Sequence, residues 1–199
     1  MQFEPYYEVE GDIRFLRNGE SLKARPRRER EGFFDLYCKG LGIDIGCGKD
    51  PLNDDVDQWD ELHGDAHYMN GIDNETYDFV YSSHCLEHME DPVLALQNWF
   101  RIVKRGGYMI LYVPHRDRYE LKKNLPSKWN ADHKLFLLPH QDEPPHTWSV
   151  HTLLSLALME QGELPYHIEY IRTCDEGWAD PKGEHPYGEY SIEVVLKKL

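Results

Sequence analysis

Cysteine is scarce: the four at Cys38, Cys47, Cys85 and Cys174 show no C-x-x-C spacing, and a chain of 199 residues can close a core without disulfide staples. They read as reduced thiols of a cytoplasmic protein. Long apolar runs are also missing, so no bilayer-spanning helix is expected. Met1-Gln2-Phe3-Glu4-Pro5 has neither the basic nor the apolar region of a leader. Positive charge is in short supply: 22 Lys and Arg face 36 Asp and Glu, a net charge of -14. Such a field repels phosphate backbones and anionic membranes and argues against a nucleic-acid partner. Neither internal repeats nor low-complexity tracts occur, and the length suits one domain over residues 1–199.

What is present starts with Leu41-Gly42-Ile43-Asp44-Ile45-Gly46-Cys47-Gly48, an apolar strand-like run that ends in an acid and closely spaced glycines. Glycines just past a strand let backbone approach a ligand, and in an open parallel sheet ligands settle beyond the carboxyl ends of strands. Upstream, residues 6–20 alternate around Arg17-Asn18-Gly19-Glu20, where Asn-Gly favours a hairpin turn, and such a hairpin could pair across a homodimer edge. A basic island at residues 23–30 leads into a helix around Phe33–Tyr37. It reads either as the solvated start of a helix or as a phosphate contact. Tyr77-Asp78-Phe79-Val80-Tyr81 is a β-rich run. Pro92 to Val103 has helical periodicity behind an Asp91 cap, Gly106-Gly107 stops that helix, and Tyr108 to Val113 begins a buried strand. This strand, helix, strand succession implies a right-handed crossover and a parallel sheet.

Residues 116–148 are polar and weakly periodic, the character of a lid or substrate loop. Val150 to Gln161 reads as an amphipathic helix, and two final strand-like runs, at 167–171 and 191–196, suit an antiparallel hairpin. The chain thus divides into an N-terminal hairpin and helix (1–40), a ligand-binding half (41–115), the loop (116–148), and a C-terminal helix and hairpin (149–199).

Four motifs stand in register: Ile43-Asp44-Ile45-Gly46-Cys47-Gly48, Gly64-Asp65-Ala66, Tyr77 through His88, and Arg101 through Tyr108. Together they resemble the class I S-adenosylmethionine-dependent methyltransferases of the small type 11 branch. Tyr112-Val113-Pro114-His115-Arg116-Asp117, with Asn130-Ala131-Asp132-His133-Lys134, is similar to methyltransferases associated with surface-polysaccharide synthesis. The resemblance implies a Rossmann-like, doubly wound α/β fold, a mostly parallel sheet with a C-terminal antiparallel hairpin, and S-adenosylmethionine as cofactor, released as S-adenosylhomocysteine. It implies that Gly46, Cys47 and Gly48 lie under the methionine and ribose portions, that Asp44 helps position the amino group, and that Asp65 with Ala66 reads the adenine edge. His84, just past the strand at 77–81, is also expected among the cofactor-binding residues.

Two departures from the family pattern matter. Asp50 stands where a third glycine is common, and only residues 49–64 separate Gly48 from Asp65, so the second-strand region is shortened. The acid that grips the ribose hydroxyls is sought among Asp54, Asp55, Asp57 and Asp60. Asp57, after Val56, is the choice, with a solvated acidic loop as the alternative.

Transfer of a methyl group from sulfonium is an in-line displacement, served largely by positioning, and a base is needed only for some acceptors. His115, past the buried strand, is the first candidate base, His84 the second, and His133 with Asp132 the third; each can equally be a packing or surface residue. No metal is expected: the segment His84 to His88 lacks the H-E-x-x-H order, and His133, His140, His146 and His151 have no tight ligand spacing. Trp129, Trp148 and Trp178 read as packing residues. The expected acceptor is an oxygen of a small molecule such as a sugar or nucleotide-sugar. The alternatives are an inactive cofactor-binding module serving a partner enzyme, and an RNA or protein methyltransferase supported by the basic island.

Overall fold

The computed structural model describes residues 7–10, 13–16, 19–180 and 182–199. Strands β1 (Tyr7–Glu10) and β2 (Ile13–Leu16) pair antiparallel as a separate two-stranded sheet. Glu10 pairs with Ile13, so this pairing does not centre on Arg17-Asn18-Gly19-Glu20, where the turn is expected. Asn18 lies outside the described residues, and Gly19 is the N-cap of helix α1 (Glu20–Arg30). After α1 comes α2 (Phe33–Tyr37).

The main sheet is built from β3 (Gly42–Ile45), β4 (Asp57–Trp59), β5 (Tyr77–Ser83), β6 (Val103–Pro114), β9 (Tyr166–Cys174) and β10 (Ser191–Lys198), in the order β4-β3-β5-β6-β10-β9. The first four are mutually parallel, and β10 runs antiparallel between β6 and β9. This is the expected Rossmann-like architecture with its C-terminal antiparallel pair. Compression of residues 49–64 leaves one three-residue strand, β4, at the edge.

Strand alternation assigns each side chain to a layer. On one face Phe79, Tyr81, Ile110 and Val195 pack with Phe33 of α2 and with Leu52 and Val56. On the other, Ile43, Ile45, Val80, Met109, Leu111 and Val194 meet α3 (Pro92–Arg101) and α4 (Val150–Leu158). Helix α3 buries Ala95, Leu96, Trp99 and Phe100, a stripe at helical spacing, and its Asp91 cap accepts the Leu94 N–H at 2.9 Å. It ends at Arg101, so Gly106 and Gly107 belong to β6 and do not stop the helix.

The basic island is only partly solvated. Arg30 stays exposed, whereas Arg27 and Arg28 are buried, Arg28 completely, and reach Glu189, just before β10, and Glu193 on β10. Arg28 Nε donates to Glu193 Oε2 at 2.6 Å and its Nη1 to the Tyr81 hydroxyl at 2.8 Å. Burial alone would raise the Glu193 carboxyl, but Arg28, Arg27 and Arg172 together bring it down to about 2. These contacts pin α1 against the central strands.

Residues 116–148, expected as a lid or substrate loop, carry regular structure of their own. They contain β7 (Phe136–Leu138), paired parallel with β8 (Thr147–Ser149), and they bury Tyr119, Glu120, Ser127, His133 and Leu135. Trp129 Nε1 donates to the Tyr119 carbonyl, a packing role as expected. All four cysteines are free. Among the described residues no helix is long and apolar enough to cross a membrane.

Candidate functional site

A cleft of about 630 Å³ opens at the carboxyl ends of β3, β4 and β5, lined by Gly46, Trp59, Asp60, Gly64, Asp65, Ala66, His84, Cys85, His88 and Met89 among others. That volume suits a cofactor-sized ligand. A larger groove, about 890 Å³, lies at the opposite end of the sheet between the start of β6 and the C-terminus, away from the ends where ligands settle in open α/β sheets.

Gly46 is where the floor of the cleft forms. Its φ is +75°, and an added Cβ would stand 2.6 Å from the Cys85 side chain, so both conformation and space demand glycine. Its N–H donates to the Trp59 carbonyl at 2.8 Å, tying the glycine turn to β4. Asp44 lies behind this turn, almost wholly buried, and its Oδ2 accepts the Leu52 N–H at 2.7 Å. Burial lifts its carboxyl to about 7, against the lowering pull of that N–H and of Arg28. Asp44, Cys47 and Gly48 are not among the residues lining the cleft; they shape the turn from behind.

Asp57 is displaced from its expected role. It begins β4, so it sits at the amino end, where its carboxylate accepts the Tyr77 hydroxyl at 2.9 Å. Asp60, one residue past the end of β4, lines the cleft instead, its Oδ2 accepting the Gly48 N–H at 2.5 Å. A three-residue strand places the acid at its carboxyl end three positions later than Val56 suggests. Asp65 and Ala66 line the cleft as expected, with Asp65 Oδ1 held by the N–H and ring of His67, which lower its pKa.

Of the candidate bases, His84 and Asp132 line the cleft, whereas His115 and His133 do not. The φ of His84 is +50°, a strained value for a residue with a Cβ, and its Nε2 lies 2.9 Å from Ser191 Oγ. Burial lowers its pKa to about 4, partly opposed by Glu20. His115 is buried behind β7, its Nδ1 accepting the Asp117 N–H, and it is not among the cleft residues. The strand that carries it runs past the site before His115 is reached. His133 is buried beside Glu120, stacked on Tyr119.

Sequence spacing sets no metal ligands here, yet the fold brings Glu87, His88 and His133 together. The backbone bond from Lys134 N–H to the Glu87 carbonyl, 2.8 Å, carries His133 from the long loop to the turn at Leu86–His88. Glu120 was not singled out from the sequence, and Glu87 stood there only with Cys85 beside the discounted metal pair His84 and His88. The signal available was the order His84-x-x-Glu87-His88 followed by Asp132-His133.

Comparison with known proteins accords with this geometry. A methyltransferase-domain family matches residues 33–111, which carry the glycine turn, Asp60, Asp65 and His84. Residues 33–111 therefore carry an S-adenosylmethionine-dependent methyltransferase domain. Its fold is shared with an S-adenosylmethionine-dependent methyltransferase from Archaeoglobus fulgidus, at 18% identity over 92% of this chain and 96% of that one, with a TM-score of 0.51. It is likewise similar to one from Methanosarcina mazei, at 15% identity over 84% of this chain and 97% of that one, TM-score 0.50. Among curated proteins none matches.

The cleft of this methyltransferase fits its cofactor on chemical grounds. The glycine turn offers close backbone approach, Asp60 offers a carboxylate for a diol, and Met89 and Ala66 offer apolar and backbone contact.

Proposed function

We propose that this methyltransferase acts on an oxygen of a small, hydroxyl-rich acceptor such as a sugar or nucleotide-sugar. The observation that supports the reading best is the wall of the cleft formed by His84, His88 and Asp132, which sets two imidazoles and a carboxylate beside whatever occupies it. A polyol brings several donors at once to such a wall. When bound, the cofactor supplies an electrophilic methyl group on a sulfonium. Asp60 is assigned to the ribose hydroxyls in place of Asp57, Asp65 and the Ala66 N–H to the adenine edge, and Gly46 to the backbone floor. His84 orients the acceptor hydroxyl from the cleft wall.

The RNA reading loses its support, because the basic island is spent on internal ion pairs. For assembly, we keep the pairing of the β1–β2 hairpin across a homodimer edge; sedimentation of a monomer at all concentrations would overturn it. The acceptor is tested by supplying methyl-labelled S-adenosylmethionine with a panel of sugars and nucleotide-sugars and locating the label by NMR. An O-methyl product is expected. Transfer to nitrogen alone, or to none of the hydroxylic acceptors by protein that binds the cofactor, would count against it.

A further inference from the structure

Glu87 is wholly buried, yet neither of its carboxylate oxygens has a hydrogen-bond partner among the described residues. Its Oε1 faces imidazole nitrogens instead: His84 Nδ1 at 3.6 Å, His133 Nε2 at 3.8 Å and His88 Nε2 at 3.9 Å. Two of these rings are held from behind. His133 Nδ1 lies 2.6 Å from Oε1 of the buried Glu120, and His88 Nδ1 lies 3.0 Å from Asp132 Oδ2. With carboxylates as acceptors at Nδ1, a neutral ring presents the lone pair of its Nε2. Two imidazole nitrogens and the Glu87 carboxyl thus face one another at 3.8 and 3.9 Å. In a low-dielectric interior that arrangement is costly alone and favourable around a cation.

We propose that Glu87, His88 and His133 bind one first-row divalent transition ion, with Glu120 and Asp132 as positioning residues that orient the two imidazoles. The three ligand atoms lie within 4.8 Å of one another. Around an ion with bonds of about 2.1 Å, neighbouring donors stand roughly 3.0–3.4 Å apart, so small side-chain rotations close the site. Two imidazoles and one carboxylate suit a transition ion rather than magnesium, which favours oxygen ligands. Carboxylates behind ligating histidines are the usual supporting arrangement.

Glu87 and His133 wall off the interior side, whereas His88 lines the cleft, so the remaining coordination positions face the acceptor. The ion's role rests on the oxygen-transfer reading above: it holds the acceptor oxygen and lowers the pKa of its hydroxyl. The O–H proton leaves to water at the mouth of the cleft. The oxygen lone pair forms the new O–C bond as the C–S bond breaks, its electron pair passing to sulfur to give S-adenosylhomocysteine.

The test titrates the full chain, stripped with EDTA, with Co²⁺ followed by its visible d–d absorption, alongside calorimetry with S-adenosylhomocysteine. One Co²⁺ per chain is expected. Glu87→Gln, which keeps shape, and His133→Ala should each weaken Co²⁺ binding by roughly 100-fold, and Glu120→Gln by about 10- to 100-fold. All three should keep S-adenosylhomocysteine binding. Absence of stoichiometric Co²⁺ binding by wild-type protein that still binds S-adenosylhomocysteine overturns the metal site alone, as does equal Co²⁺ binding by the wild type and Glu87→Gln. Co²⁺ binding with the expected variant losses, but methylation only of nitrogen, supports the site and overturns only the oxygen-acceptor reading.

Discussion

Asp44 sets within β3, between Ile43 and Ile45, a carboxylate that burial raises to about 7, well above its ordinary 3.8. A folded-state pKa above the unfolded one means stability that is full below about 4 and is lost as pH rises toward about 7. Each unit of separation is worth about 1.4 kcal/mol. Asp44→Asn should remove this site's share of that decline, which chemical denaturation at pH 4, 5, 6 and 7 would show as a flatter profile than the wild type; parallel profiles would contradict it. The neighbouring acids separate by position in the same way. Asp60→Asn should weaken S-adenosylhomocysteine binding by roughly 10- to 100-fold, the loss expected for a hydrogen bond to a charged group. Asp57→Asn, at the other end of β4, should leave it within about twofold, and calorimetry on both variants decides the assignment. Proximity in sequence misleads here because the side of the sheet an acid serves depends on which end of a strand it occupies.

Helix α1 is polar by composition and earns its place through ion pairs. Arg28 has no exposed surface and donates to Glu193, so Arg28→Ala should destabilise the fold by about 3 kcal/mol, the cost of leaving a buried charge short of a partner. Arg30→Ala, at the solvent-exposed end of the same helix, should stay within about 0.5 kcal/mol. Denaturant midpoints of the two variants measure the contrast. Elements with a strong apolar period were legible in the sequence: β3, β5, α3 with its Asp91 cap, α4, and the terminal pair β9 and β10. The compressed stretch 49–64 and the loop 116–148 were not, because their order comes from contacts with distant residues. Tyr119, Glu120 and His133 are buried by packing between segments, which local periodicity does not report.

At the scale of the molecule, the charge of -14 and the internal use of Arg27 and Arg28 leave little basic surface for a polyanion. A filter-binding assay with RNA at low salt should show no salt-dependent complex; an affinity that falls steeply with added salt would reopen that substrate class. The glycine turn and the parallel sheet follow from sequence alone, since each rests on local chemistry: backbone freedom at Gly46 and alternating burial along strands. The fold decided what depends on meeting across distance. It put Asp57 at the amino end of β4 and Asp60 in the cleft, and it left His115 outside the cleft. It also set Glu87, His88 and His133 around one point, because these side chains meet only once a loop 45 residues downstream of His88 is hydrogen-bonded to the turn that carries Glu87.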